Sequence, residues 1–183
     1  MRFRPLTLGL AILSCLAASA PGFAAGGNKV IMTLKAGTVE ITLRPDLAPG
    51  HVERFLKLVG EGFYNGIKFH RVIPGFMAQT GDPTGTGSGG SPYPDLKAEF
   101  SKEPFVRGTI GAARTKNPDT ANSQFFVCFT NEGCAHLTGE YTVFGQVTKG
   151  MEAIDKVKQG DQDGGVVESP DTITEMHVAK AGE

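Results

Sequence analysis

The sequence FHRVIPGFMAQTGD occupies residues 69–82, and ANSQFFV occupies residues 121–127. Both stretches are rich in aromatic and β-branched residues, which favour strands, and Pro74 interrupts the first stretch. Taken one at a time, their apolar side chains suit a buried core, and Arg71 suits the surface. Taken together and in this order, the two stretches are the most informative part of the chain.

Short apolar segments recur on both sides of these stretches. Alternation and β-rich composition predict strands at residues 30–34, 39–43, 67–72, 75–79, 108–113, 123–129, 141–147 and 172–178. A helix is predicted between Pro49 and Gly60, where apolar residues recur at helical spacing, and a second helix over residues 151–157. Residues 80–95 are rich in glycine, proline, serine and threonine, and predict a long loop.

Length and composition limit the architecture. A chain of 183 residues has room for one compact domain, and 25 glycines with 11 prolines indicate many turns. Roughly eight short strands and two helices favour a mostly β fold, and suggest a closed β-barrel because closure removes exposed strand edges. The formal net charge is −1 and no basic run is present, so nucleic acid is not expected as a partner.

The N-terminal segment does not fit this fold. Arg2 and Arg4 precede an almost continuous apolar run over residues 6–18, and small residues follow it. The run is shorter than the roughly 20 residues that a membrane-spanning helix needs, so no membrane span is expected. The pattern predicts that residues 1–25 are a cleaved export signal and that the protein is periplasmic.

Cleavage is expected after Ala24 or Ala25 rather than after Ala20, because proline would follow directly at the earlier site. The mature domain would then comprise residues 26–183. Processing as a lipoprotein at Cys15 is not favoured, because the apolar run continues beyond this cysteine.

Several chemistries lack their sequence signals. The segment GTGSGG at residues 85–90 matches G-x-G-x-x-G, but Pro92 and Pro94 prevent the helix that would hold a dinucleotide, so a loop is predicted. The four histidines have no metal-ligand spacing, so neither a metal nor a cofactor is expected. His70 should point to the opposite face of its strand from Arg71, as a structural residue.

Two cysteines follow the predicted signal. Export would permit a disulfide between Cys128 and Cys134. Cys128, however, lies in the apolar run FFVCF, so the favoured interpretation is a small buried hydrophobic residue.

In their sequence and order, residues 69–82 and 121–127 resemble the signature of cyclophilin-type peptidyl-prolyl cis/trans isomerases, here of an exported bacterial type. GTIGAART at residues 108–115 and LTGEYTVFG at residues 137–145 extend the resemblance over the whole mature chain. It implies a closed eight-stranded antiparallel β-barrel capped by two α-helices, with the site in a groove on the outer wall. It also implies proline-containing unfolded or partly folded polypeptides as partners, a monomer, and no cofactor.

The resemblance implies a role for each residue that matches the family's site. Arg71 would be the catalytic arginine, and Gln79 would orient it. At position 114 the family uses main-chain groups, so an arginine there, where many members have asparagine, need not disable the site. The residues implied in substrate binding are Phe76, Met77, Ala113, Arg114, Thr115, Gln124, Phe126, His136, Leu137 and Tyr141.

Two positions depart from the family's best-known pattern. His136 stands where many members have tryptophan, and Tyr141 stands where they have histidine. The tryptophan contributes to cyclosporin binding in the family, so only weak binding of cyclosporin is expected here. The alternatives are a catalytically weak module of the same fold that binds proline-containing segments or acts as a chaperone, and an unrelated exported ligand-binding barrel.

Overall fold

The computed structural model describes residues 27–161 and 164–180. The predicted export signal, Cys15 and the three candidate cleavage sites lie outside these ranges. The described chain forms β1 (Lys29–Leu34), β2 (Gly37–Leu43), α1 (Pro49–Gly60), β3 (Arg71–Ile73), β4 (Met77–Thr80), β5 (Thr109–Ala112), β6 (Phe125–Cys128), α2 (Asn131–Cys134), β7 (Val143–Lys149), α3 (Met151–Asp155) and β8 (Ile173–Val178).

The strands form one antiparallel sheet in the order β3-β4-β6-β5-β7-β2-β1-β8. This architecture confirms the predicted mostly β fold with eight strands. The G-x-G-x-x-G segment lies in the loop between β4 and β5, as predicted, and no helix begins there.

The prediction of a closed barrel is confirmed only in part, because the sheet curls into a half-barrel. Its two edge strands, β3 and β8, do not form a ladder with each other. Between them lie an isolated bridge from Lys68 to Thr172 and a backbone hydrogen bond of 2.9 Å from Phe69 to Asp171. A loop covers the outer edge of β3, since Val72 donates its N–H to Gly165 at 2.7 Å. Covering an edge satisfies its backbone groups without a continuous ladder.

The described residues contain three α-helices rather than the two predicted. The additional helix, α2, has four residues, too few to give a helical pattern in the sequence. The longer helix, α1, begins at Pro49, and the carboxylate of Glu99 accepts the N–H groups of Gly50 and His51 at 3.0 Å each. A carboxylate at this end satisfies free donors and complements the helix dipole. In the described ranges, no helix has the length and hydropathy to cross a bilayer.

The sheet buries apolar side chains on both faces. Along β6, Phe125 and Val127 belong to the larger core, which also contains the apolar face of α1. The alternate residues, Phe126 and Cys128, belong to a second and smaller cluster on the outer face. Because side chains alternate along a strand, a strand buried on both faces is continuously apolar. This explains the unbroken run FFVC.

The preference for an unpaired Cys128 is wrong. Cys128 and Cys134 form a disulfide, and both are fully buried in the smaller outer cluster. The reason is α2, which turns the chain back so that the two Cα atoms lie 6.1 Å apart, within the usual range for a disulfide. Sequence spacing alone did not predict this turn.

Candidate active site

A groove of about 290 Å³ lies on the outer face of the sheet, over the smaller cluster. We call it the apolar pocket. Ten of the residues predicted for the site line it: Arg71, Phe76, Met77, Gln79, Ala113, Arg114, Phe126, His136, Leu137 and Tyr141.

The floor of the apolar pocket is formed by buried side chains. Met77, Phe126 and Leu137 are almost inaccessible to solvent. Phe105 stacks beneath Phe126 with ring centroids 5.8 Å apart, a support that the sequence did not reveal. Gly111 pairs with Phe126 across the sheet, and a Cβ at this glycine would clash with both rings. The floor is therefore closely packed and rigid, and its shape depends on the absence of a side chain at Gly111.

The rim of the pocket is aromatic. The rings of Phe76 and His136 lie 5.4 Å apart, and Tyr141 meets Phe126 edge-on at 5.8 Å. The guanidinium carbon of Arg114 lies 4.2 Å from the centre of the Tyr141 ring. Such an environment suits a compact apolar ring.

Arg71 lies at one wall of the pocket and is held by two partners. Its Nε donates to the carbonyl oxygen of Gly164 at 2.9 Å, and its Nη1 donates to Gln79 Oε1 at 3.4 Å. Arg71 and Gln79 are direct partners in the β3–β4 register, which places both side chains on the outer face. The hydrogen bond to Gly164 joins residues far apart in the chain, and sequence reasoning missed it.

A second cavity of about 510 Å³ adjoins the pocket, and we call it the polar groove. It shares Gln79, Ala113 and Arg114 with the apolar pocket. The two remaining predicted site residues, Thr115 and Gln124, line it. Gln79 Nε2 donates to Gln124 Oε1 at 2.8 Å, so a hydrogen bond joins the two cavities.

The glycine-rich loop that lines the polar groove is organised by Asp82, which sequence reasoning did not single out. This buried carboxylate accepts the N–H groups of Thr84, Thr86, Gly87 and Gly89 at 2.6–3.1 Å. Burial raises the pKa of Asp82, but hydrogen bonds from Thr84, Gly89 and Gly87 outweigh it and hold the pKa far below its usual range. Its position directly before a glycine-rich loop was the available sequence signal.

His70 is buried, while its neighbour Arg71 lines the pocket, so the predicted separation of the two residues is confirmed. Burial lowers the pKa of His70, against a smaller opposing effect of the Asp82 carboxylate. In the part of the chain that the structure describes, no group of three or more potential ligands is placed to hold a metal ion.

Comparisons with known proteins agree with this geometry. The family model described as "Cyclophilin type peptidyl-prolyl cis-trans isomerase/CLD" matches residues 29–178. A probable peptidyl-prolyl cis-trans isomerase of Brucella suis is 57% identical over 158 residues, which are 80% of each chain. Peptidyl-prolyl cis-trans isomerase B of Bacillus subtilis is 46% identical over 125 residues, covering 67% of this chain and 85% of the relative.

A solved structure supports the same family. The cyclophilin-type isomerase of Cryptosporidium parvum, determined in the presence of the dipeptide Ala-Pro, has a TM-score of 0.75 and 29% identity. The match covers 83% of this chain and 99% of that one. The chain therefore belongs to the cyclophilin-type peptidyl-prolyl cis-trans isomerases.

Proposed function

We propose that this isomerase accelerates rotation about X-Pro bonds in exported polypeptides, with Arg71 as its catalytic residue and the apolar pocket as the site of the proline ring. The observation that carries the proposal is one arginine, held by Gly164 and Gln79, at the wall of a pocket whose floor is Met77 and Phe126. The Ala-Pro dipeptide of the Cryptosporidium parvum structure supports proline as the group that is bound.

The chemistry explains why such a site is sufficient. Rotation about a peptide bond has a barrier of about 18–20 kcal/mol, because amide resonance is lost. In the twisted transition state the proline nitrogen regains a lone pair and can accept a hydrogen bond, which it cannot do in the planar amide. A donor placed at this nitrogen stabilises the transition state more than either ground state, and so increases the rate.

Arg71 has donors left for this role. A guanidinium carries five N–H groups and stays protonated. Within the described ranges, Gly164 and Gln79 occupy two of them, and they fix the plane of the group. A hydrogen bond from a charged donor contributes about 1.5–3 kcal/mol, or roughly 10- to 150-fold in rate. Any further acceleration would come from the pocket, which holds the ring while the preceding residue rotates.

Isomerase assays on a peptide with a defined cis-proline population test the assignment. We expect Arg71→Ala to lower kcat/KM by at least roughly 10-fold with little change in melting temperature, since Arg71 is only partly buried. Arg71→Lys should recover only part of the rate, because lysine lacks the planar fork. Arg54→Ala, on α1 and outside both cavities, is the matched control. Wild-type activity in Arg71→Ala would refute the assignment, and substrate binding without isomerisation by the wild type would favour a chaperone role.

Action on exported proteins is supported by two observations. The sequence of residues 1–25 has the pattern of an export signal. The buried disulfide between Cys128 and Cys134 suits an oxidising compartment. Mass spectrometry of protein from the periplasmic fraction tests the proposal. The chain should begin after Ala24 or Ala25, whereas an intact chain confined to the cytosol would contradict export.

Cyclosporin should bind weakly at this site. His136 contacts Phe76 at the pocket rim, and an imidazole offers less apolar area than the tryptophan that it replaces in the family pattern. Inhibition of the isomerase assay by cyclosporin measures this directly.

A further inference from the structure

Arg114 lies where the apolar pocket and the polar groove meet. It lines both cavities, together with Gln79 and Ala113. A peptide whose proline ring fills the pocket, and whose chain continues into the groove, must therefore pass Arg114. The resemblance to the family assigned only main-chain contacts to this position and gave its side chain no role.

The side chain of Arg114 is fixed in place. Its Nη1 donates to the carbonyl oxygen of Thr115 at 2.9 Å, and its Nη2 donates to that of Glu140 at 2.8 Å. The guanidinium lies over the ring of Tyr141, 4.2 Å from its centre. Each terminal nitrogen carries two N–H groups, so each keeps one for a ligand. A group held in this way loses little conformational freedom when a ligand binds.

The charge of Arg114 is not neutralised within the described chain. Arg44 and Arg107 form ion pairs with carboxylates, whereas the hydrogen bonds of Arg114 go to main-chain oxygens. Asp95 also lines the polar groove but forms no ion pair with Arg114; its carboxylate accepts a hydrogen bond from the neutral side-chain amide of Asn122 at 2.9 Å. No carboxylate of the described residues lies within ion-pair distance of Arg114.

We infer that the side chain of Arg114 is a specificity determinant, and that it favours substrates with aspartate or glutamate near the proline, on the flank that enters the polar groove. This inference rests on the proposed function. A partly exposed ion pair reinforced by one charged hydrogen bond should raise kcat/KM for an acidic peptide roughly three- to tenfold over its amide counterpart. Salt should weaken the preference, because the pair is accessible to solvent.

The test is the ratio of kcat/KM for glutamate against glutamine, measured in peptides that carry either residue at each of the two positions before and after proline. The wild type should prefer glutamate on one flank only, and the ratio should fall toward one in 1 M NaCl. Arg114→Gln should abolish the preference and Arg114→Lys should restore part of it. Because the readout is a ratio within one variant, a general loss of activity cancels.

Lys116→Gln is the matched control, since this exposed lysine is two residues away and lines neither cavity. It removes the same charge and should leave the ratio unchanged. A wild-type ratio near one, or a preference that survives in Arg114→Gln, would overturn the inference while leaving the isomerase intact. Absence of turnover on every peptide would instead overturn the proposed function, and this inference with it. If Arg114→Gln does not fold, two other measurements test the inference: the salt dependence of the wild-type ratio, and the ratio in Arg114→Lys.

Discussion

The carboxylate of Asp82 holds the N–H groups of the glycine-rich loop, and the side-chain amide of Gln124 holds its carbonyl oxygens. Asp82 accepts the N–H groups of Gly87 and Gly89 at 2.6 and 3.1 Å, and Gln124 Nε2 donates to the carbonyl oxygens of the same two glycines at 3.0 and 2.8 Å. Gln124 in turn accepts a hydrogen bond from Gln79. Since Gln79 accepts a hydrogen bond from Arg71, an unbroken series of hydrogen bonds connects the buried carboxylate to the candidate site.

This series predicts that Asp82 is a positioning residue for Arg71. Asp82→Asn keeps the size but removes the charge and one acceptor oxygen, so the loop should loosen and Gln124 should lose its anchor. We expect kcat/KM to fall roughly tenfold, the equivalent of one charged hydrogen bond. Asp46→Asn, an exposed carboxylate outside both cavities, is the control.

Coupling distinguishes positioning from general destabilisation of the fold. If Asp82 acts through Arg71, the two substitutions should not be additive. The change in activation free energy of the double variant with Asp82→Asn and Arg71→Lys, calculated from kcat/KM, should be smaller than the sum of the changes in the two single variants. Fully additive effects in this double-mutant cycle would contradict the connection and leave Asp82 as a purely structural residue.

Gly111→Ala should distort the floor of the apolar pocket. A Cβ at this position would clash with the rings of Phe126 and Phe105. Both rings are buried, so neither has free space to move into. Overpacking of this kind destabilises by about 1–3 kcal/mol, and a displaced floor should lower kcat/KM roughly tenfold or more. Gly60→Ala is the matched control, because no atom beyond its chain neighbours and the backbone of its own helix lies within 4 Å of the added methyl group. Equal kinetics in both variants would show that the position of Phe126 does not matter.

The disulfide should stabilise the wall of the apolar pocket that is formed by the residues directly after α2. It joins β6 to α2, and the chain continues directly to His136 and Leu137. Closing so short a loop contributes about 2 kcal/mol to the free energy of unfolding. A reductant should therefore lower the melting temperature of the wild type but not that of a variant with both Cys128→Ala and Cys134→Ala. An equal response of the two proteins to reductant would exclude a stabilising role for the bond.

Local sequence patterns predicted most of the fold, because the same relation between the spacing of apolar residues and secondary structure holds along the chain. Alternating or continuous apolar residues marked the strands, and the apolar face after Pro49 marked α1. The edges of the sheet were less predictable, since closure depends on which backbone groups meet across the molecule. Here the loop that contains Gly165, and not a ladder, covers β3. No property of either segment alone encodes that contact.

The candidate site likewise contains residues that the sequence predicted and residues that it did not. The signature stretches allowed Arg71, Gln79 and Phe126 to be named from sequence, and the structure places them around one pocket. The residues that support them were missed because each acts over a long sequence separation: Gly164 accepts from the arginine and Phe105 underlies Phe126. The cysteine pair was misjudged for a related reason, since a buried strand residue and a disulfide partner have the same apolar surroundings.

Two buried histidines predict how stability depends on pH. Burial lowers the pKa values of His51 and His70 below the ordinary value, although Glu99 and Asp82 respectively oppose the effect. In the unfolded chain both titrate near pH 6.5, so as the pH falls below about 6.5 the unfolded state binds protons that the folded state does not. The free energy of unfolding is therefore unaffected by these groups at pH 8 and decreases progressively below about pH 6.5.

Denaturant titrations at closely spaced pH values between 8 and 5.5 measure this slope. One buried histidine accounts for at most about 1.4 kcal/mol per pH unit, and carboxylates contribute little in this window. His70→Gln should flatten the slope by roughly half, and a variant with both His51→Gln and His70→Gln should remove most of it, whatever the loss of stability at pH 8. A slope that stays unchanged in the double variant would mean that neither imidazole is kept neutral by its burial, and that acid destabilises this fold through other groups.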